Sequence, residues 1–462
     1  MKRARKSKST RKMPKIKSLR TLFGVSEYLL SNGLRVLYKP EKSLPVAAVC
    51  VTFHVGSRNE APGHTGSTHI LEHLLFKDSK KFNQRNGKAI TGYLEWMGAL
   101  VNATTWLDRT NYFELLPKER LEEALALEAD RMRNALFNDA DLASEMTVVR
   151  NEYERGRNNP YELLDEELTA TAFTVHPYRI PTIGTKEDIE TSTAAKLREF
   201  YDTFYWPNNA TLAIFGDVSR AEMERLVVKY FGPIPRSPHP IPQMTIVEPE
   251  QKKARSCEIK KASGVSIAIL AYKTPCATDP DFIPVFMLGT ILAGGFSSRL
   301  QKALVDRGFA SDLSHMTLPT FDPGLLTFTA TAAEGTAPDK LIRIMRKEIA
   351  KVVAEGVDAA EVSRARERIL SQIAEERDGI FNEIRTVSES IAAGDWMLAY
   401  AFEQKIKKTT AADINHVAKK YLVPRTETSG ILLDTVETPI IETASATYTT
   451  QPTHHVEIDF DY

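Results

Sequence analysis

His69-Ile70-Leu71-Glu72-His73 places two imidazoles and a carboxylate within five residues. On a helix, residues four apart share a face, so His69 and His73 can aim their rings at one point. Glu72, three residues after His69, falls on the same side. Two imidazoles are two of the three protein donors of a hydrolytic zinc centre, and a neighbouring carboxylate can take a proton from water polarised by the cation. The order H-x-x-E-H inverts the commoner H-E-x-x-H motif. A solvated helix face rich in His and Glu is the competing reading. The flanks oppose it: Ile70, Leu71, Leu74, Leu75 and Phe76 predict a buried helix, where unpaired ionisable groups are costly.

A third donor must come from another element. Residues 141–158 read as a long helix with Leu142, Met146 and Val149 at helical spacing. Glu145 and Glu152 are two turns apart on that apolar stripe, so they face the same way. One can complete the metal shell while the other orients a ligand. Spacing leaves open which does which.

The elements around these helices occur twice. The first half reads as strands over 27–39 and 46–56, the histidine helix, a strand pair over 98–116, helices over 118–135, 141–158, 161–173 and 187–204, a strand over 210–216 and a helix over 219–230. In the second half SGVSIAILAY (263–272) answers the strand over 46–56, DFIPVFMLGTILA the histidine helix, and DPGLLTFTATAA a strand of the pair. KLIRIMRKEIAKVVAEG, DAAEVSRARERILSQIAEERDG and AADINHVAKKYL answer three helices. The proline-rich GPIPRSPHPIPQ (232–243) between them denies helix and central strand alike. The predicted fold is α+β, two homologous domains that are each an antiparallel sheet with helices packed on it. They span 25–231 and 251–436, joined by a linker over 232–250. Where the first copy has HILEH the second has VFMLG, and aligning the two long helices sets Gln372 opposite Glu152 and Ala365 opposite Glu145. The fold therefore does not itself require those ionisable residues.

A chain of 462 residues, 42% hydrophobic, can bury two or three cores. Lys plus Arg and Asp plus Glu both total 60, which gives no nucleic-acid signature. Cys50, Cys257 and Cys276 are too scattered for a zinc ribbon or a disulfide framework. Residues 1–24 read as a basic disordered arm without the apolar run of a secretory signal, and 437–462, with His454-His455, as a tail. No 18-residue apolar run exists for a membrane span. The expected compartment is the cytoplasm, or the periplasm or an organelle if the arm is a targeting remnant.

The text around these motifs resembles the insulinase-like (pitrilysin) zinc metallopeptidases, which include bacterial two-domain members and the mitochondrial processing peptidases. The likeness rests on GSRNEAPGHTGSTHILEHLLFKDS (56–79), GALVNATTWLDRTNYFELL (98–116), VVRNEYERGRNNP (148–160), HPYRIPTIGTKEDI (176–189) and LREFYDTFYWPNNATLAIFGDV (197–218). It implies one Zn²⁺ per chain on His69, His73 and Glu152, with Glu72 as general base and Glu145 as the carboxylate that orients a ligand. It also implies Asn102 and Ala103 on an edge strand beside a bound peptide. Active members present an arginine and a tyrosine, seven residues apart, from a C-terminal domain. The matching stretch GGFSSRLQKALVDRGFASDL (294–313) has Leu304 and Ser311 there. The resemblance implies a zinc endopeptidase, and this departure leaves two outcomes: a partner, a similar chain in a heterodimer, supplies the pair, or the enzyme is weak. The alternative is a non-catalytic assembly subunit.

Overall fold

The computed structural model describes residues 15–435. The basic run over 1–14 and the tail over 436–462, with His454 and His455, lie outside the described residues. The first half runs β1 (Ile16–Leu22), β2 (Val25–Leu30), β3 (Arg35–Pro40), β4 (Val46–Phe53), α1 (Ser67–Leu74), α2 (Ile90–Trp96), β5 (Leu100–Thr105), β6 (Thr110–Pro117), α3 (Leu121–Asn134), α4 (Asp139–Asn158), α5 (Pro160–Ala172), α6 (Lys186–Glu190), α7 (Ala194–Phe204), β7 (Ala210–Gly216) and α8 (Arg220–Tyr230). Its strands form one sheet in the order β1-β2-β3-β7-β4-β6-β5. The second half runs β8 (Arg255–Lys261), β9 (Ile267–Lys273), α9 (Phe282–Ala293), α10 (Arg299–Leu304), β10 (Ala310–Thr317), β11 (Leu325–Ala332), α11 (Pro338–Glu355), α12 (Ala359–Glu376), α13 (Gly379–Ala392), α14 (Leu398–Lys408), α15 (Ala411–Tyr421) and β12 (Glu427–Asp434). Its sheet has the order β10-β11-β9-β12-β8. Each sheet is antiparallel apart from one parallel pair, β3–β7 in the first and β8–β12 in the second.

The strand expected over 27–39 is a hairpin, because Asn32-Gly33 turns the chain with Gly33 at φ +96°. The helix expected over 187–204 is α6 and α7, separated at Thr193, whose side chain accepts from the Lys196 amide and starts α7. A further correction concerns the arm. Residues 16–22, inside the segment expected to be disordered, are β1 and pair with β2. Nearly all of β1 is exposed, so it adds backbone hydrogen bonds without the apolar alternation that announces a strand. No helix among the described residues is long and apolar enough to cross a membrane.

The two halves interlock. Val49, Val51 and Phe53 on one face of β4 join the core under α1, α4 and α7, while Ala48 and Cys50 on the other face pack with Ile384, Val387 and Trp396 of the α13–α14 region. β4 is thus apolar nearly end to end, as a strand covered on both faces must be. Reciprocally, Leu163, Leu164 and Leu168 of α5 pack on Ile267, Ile269, Ala271 and Leu432 of the second sheet. Each half covers the other's sheet with the helix that follows its long helix. Burying side chains of this size contributes about 1.5–3 kcal/mol each. Lys39–Glu383 (2.7 Å) and Thr52–Ser388 (2.7 Å) add polar ties across the same seam.

Candidate metal centre

α1 starts where two glycines let two loops touch. Gly66, its N-terminal boundary residue, has φ +82°, and a Cβ there would stand 2.4 Å from the Ile183 carbonyl oxygen. Gly184, at φ +92°, lies equally close to the Thr65–Gly66 backbone. The buried Glu60 carboxylate accepts from the Gly66 amide (2.8 Å), the Thr68 amide (2.7 Å) and the Thr68 hydroxyl (2.6 Å). Asp188 accepts from the Thr65 amide (3.0 Å) and hydroxyl (2.6 Å). The amides left free at a helix start are satisfied by anions, which the helix dipole also favours. Burial pushes the Glu60 carboxyl up to about 7 against these hydrogen bonds.

α1 packs against α4, and the contact assembles the predicted donors. Glu152 Oε2 lies 3.7 Å from His69 Nε2 and 3.7 Å from His73 Nε2, and the three donor atoms fall within 4.8 Å of one another. Donors held about 2.1 Å from one ion at a tetrahedral angle stand about 3.4 Å apart, so the arrangement fits a single zinc. The imidazoles cross at 78°, with ring centroids 4.8 Å apart. Burial, and then the neighbouring His73, lower the His69 pKa to about 4. A neutral His69 leaves its contact with Glu152 without ion-pair attraction, and among the described residues no lysine or arginine pairs with Glu152. The donor set is suited to a cation.

Glu145, two turns earlier on α4, meets the other side of His73: Nδ1–H donates to Glu145 Oε2 at 3.1 Å, which leaves the Nε2 lone pair facing Glu152. Burial raises the Glu145 pKa, but Lys77 at 2.5 Å and His73 outweigh it and hold the group below its usual range. Glu72 is turned toward β5, where Thr105 Oγ1 donates to its Oε2 at 2.5 Å. Burial holds the Glu72 carboxyl above its ordinary value, against that hydrogen bond. Among the described residues β5 ends the sheet and pairs only with β6. On it Asn102 is exposed, Ala103 is buried, and Asn102 Oδ1 accepts from the Ala103 amide at 2.8 Å.

His69, Thr105 and Glu152 line a cavity of about 370 Å³ together with Tyr153, Glu162 and Ile183. A second cavity of about 420 Å³ shares Glu162 and Ile183 with it and reaches Met316 and Leu318 of the second half. A larger one, about 850 Å³, lies in the second half between β10 and α12 and includes Gln372, the counterpart of Glu152. It has no metal-ligating set. A Cβ on Gly289, the counterpart of His73, would stand 2.9 Å from Leu326 Cδ1 and 3.0 Å from His315 Nδ1, so those side chains fill the space a second histidine would need. Ala365, opposite Glu145, is buried in the core. Leu304 is fully buried, and Ser311 lies exposed on β10.

Residues 35–186 match the family model described as Insulinase (Peptidase family M16), and residues 191–369 match that of the Peptidase M16 inactive domain. The chain belongs to the insulinase family, peptidase family M16. Zinc protease PqqE of Helicobacter pylori is 31% identical over 73% of this chain and 75% of its own length. The Arabidopsis thaliana protein named probable mitochondrial-processing peptidase subunit beta, mitochondrial, is 26% identical over 85% of this chain and 75% of its own. The crystal structure of a protease from Helicobacter pylori superposes with a TM-score of 0.83 at 26% identity, covering 91% of this chain and all of that one. His69, Glu72, His73, Glu145 and Glu152 all lie within the segment that matches the insulinase model. Sequence reasoning missed Thr105, Glu60 and Asp188. No local spacing pointed to them, although all three lie inside stretches that carry the family resemblance.

Proposed function

We propose that the chain is a zinc metalloendopeptidase that binds one zinc through His69 Nε2, His73 Nε2 and Glu152. The observation that carries this reading is the convergence of those three donors beside a fourth group, Glu72, that is not among them. When bound, zinc supplies Lewis-acid polarisation of water and of the scissile carbonyl. Glu72 takes the proton of the attacking water and returns it to the leaving amine. Its burial makes it a stronger base than an exposed carboxylate, and the Thr105 hydroxyl holds one of its two oxygens. Glu145 keeps His73 in the tautomer that points Nε2 inward. The substrate is a peptide or unfolded segment that adds as a strand to the free edge of β5 at Asn102 and Ala103. The Ala103 amide, held by its neighbour's side chain in the free protein, is a donor that the incoming strand can claim.

At the positions where the resemblance implies an arginine and a tyrosine, the second half has Leu304, apolar and buried, and Ser311, which is short, so neither supplies the implied oxyanion donor. We therefore assign the competent form to a heterodimer with a homologous chain that carries the arginine and tyrosine and closes a chamber around the site. Similarity to a protein named as a processing-peptidase β subunit supports this. The match to an inactive-domain model favours a second reading, a non-catalytic subunit. That match covers 191–369, however, and the donor set lies outside it. The test is zinc analysis together with peptide hydrolysis by the wild type and Glu72→Gln. We expect about one zinc per chain in both and loss of turnover only in the variant. Loss of zinc from Glu72→Gln would make Glu72 a ligand, and a zinc-free wild type would favour the non-catalytic reading.

A further inference from the structure

We propose that Arg109 is a positioning residue through which helix α13 of the second half fixes strand β5, and with it Thr105 and Glu72, in the first. The inference rests on the peptidase reading for its catalytic consequence and on geometry alone for the mechanical tie. Arg109 stands where the β5–β6 hairpin closes and is 6% exposed. Its Nη1 donates to the Thr104 carbonyl oxygen at 2.7 Å and to the Thr104 hydroxyl at 2.6 Å. Its Nε donates to Glu389 Oε2 at 3.2 Å, and Nη2 donates to Glu389 Oε1. A planar guanidinium can bind a strand on one side and a carboxylate on the other in one rigid fork.

The contact closes a ring. Thr104 Oγ1 donates to Asn111 Oδ1 at 2.8 Å, and Asn111 Nδ2 donates to Ser388 Oγ at 2.8 Å. Ser388 precedes Glu389 on α13 and is fully buried, with Thr52 on β4 at 2.7 Å. Glu389, Arg109, Thr104, Asn111 and Ser388 therefore form a cycle that ties β5 and β6 to α13. The rest of the hairpin tip has other ties: the Ser57 amide donates to the Trp106 carbonyl (3.1 Å), the Arg58 amide to the Leu107 carbonyl (2.9 Å), and the Phe321 amide of the second half to Asp108 Oδ2 (3.0 Å). Beyond the β5–β6 ladder, the side-chain hydrogen bonds that reach Thr104, the residue between Ala103 and Thr105, all belong to the Arg109 ring among the described residues. An edge strand has backbone partners on one side only, so its position depends on such side-chain ties more than a central strand's does. A shift of Thr104 moves the Thr105 hydroxyl that orients Glu72.

The variants are Arg109→Gln, Arg109→Lys, Glu389→Gln and the double variant Arg109→Gln/Glu389→Gln, each made in the full chain and assayed with any partner that co-purifies. Two readouts are needed. In the metal-free chain, hydrogen exchange of the β5 amides should quicken about tenfold or more in Arg109→Gln, while the core strand β4 stays protected. In the zinc-loaded enzyme, turnover per bound zinc should fall about ten- to hundredfold at a temperature well below unfolding, with unchanged zinc content and a smaller change in KM. Arg109→Lys should recover little, since an ammonium cannot reach Thr104 and Glu389 in one fork. The double variant should be no worse than the worse single one, as expected of one coupled unit. Unchanged β5 exchange overturns the tie. Faster exchange with unchanged turnover per zinc overturns the positioning role and leaves Arg109 a packing residue. A wild type that hydrolyses no peptide defeats the peptidase reading instead, and the exchange result still decides the tie.

Discussion

Glu145 and Glu152 lie on one helix and one face, so replacing each by glutamine tests the proposed division between a zinc ligand, Glu152, and the group that orients His73, Glu145. Glu145 Oε2 accepts from His73 Nδ1 at 3.1 Å, and the pair is mostly buried. A hydrogen bond to a charged partner contributes about 1.5–3 kcal/mol. Because His73 must present Nε2 for the metal to bind, that energy appears in zinc affinity, where each 1.4 kcal/mol or so is tenfold. Glu145→Gln should therefore weaken zinc about ten- to hundredfold. The lower end is expected, since the amide oxygen still accepts from Nδ1 and only the charge is lost. The unpaired Lys77 ammonium, 2.5 Å from Glu145 in the wild type, adds repulsion toward the incoming cation. Glu152→Gln removes a donor itself. If the roughly 10–16 kcal/mol of a four-ligand structural zinc is shared among its ligands, the loss is about 2.5–4 kcal/mol, on the order of a hundredfold to a thousandfold. Competition against a zinc chelator measures both. With zinc in excess, Glu145→Gln should recover most of its turnover and Glu152→Gln should not. Equal losses for the two variants, or a larger one for Glu145→Gln, would refute the division of labour drawn from the geometry.

Two other expectations follow from the same centre. His69 is a histidine whose pKa falls on folding, from 6.5 to about 4, so the unfolded chain binds more protons between those values and the metal-free protein should lose stability as pH falls from about 6.5 toward 4. Urea unfolding of the metal-free chain across that range measures it, and a slope that is the same in His69→Ala would show that His69 is not its source. The heterodimer assignment predicts that the purified chain alone is a poor peptidase and that a co-purifying homologous subunit raises turnover a hundredfold or more, since one oxyanion donor contributes about 3 kcal/mol. Full activity from a homo-oligomer free of any partner would refute it.

How much of this was legible in the sequence depends on how far each interaction reaches along the chain. The histidine pair with Glu72 spans five residues, and helical periodicity alone puts the three groups on one side. Glu145 and Glu152 were equally legible as a pair and illegible as individuals. Only the packing of α1 on α4 puts one at Nδ1 of His73 and the other at the two Nε2 atoms, a distinction of side rather than of spacing. Thr105 and Asp188 reach α1 or its lead-in loop from 33 and 123 residues away, and no local pattern records such a contact. Exposed β1 was missed because hydrophobic pattern reports burial rather than backbone pairing, whereas the hairpin has a local turn signal, Asn32-Gly33, inside the stretch 27–39 that reads as one strand by hydrophobic pattern alone. The exchange of α5 and α13 between the halves was missed for a related reason: an amphipathic helix advertises an apolar face without saying which sheet will cover it.

That exchange bears on why one copy carries the candidate metal site and the other does not. In each half the long helix is followed by a helix that crosses to the other sheet, so both copies keep the same scaffold whatever lines their clefts. In the second copy Gly289 admits His315 and Leu326 into the space where a second imidazole would stand, and Gln372 faces a cavity without a metal-ligating set. The scaffold folds without the ionisable set, so His69, His73, Glu145 and Glu152 are not explained by stability. Burying them without a cation costs free energy that the second copy avoids. Their presence in one copy is what a metal-binding role requires of a duplicated fold, and it predicts that the second cleft stays metal-free even when His69, His73 and Glu152 are saturated.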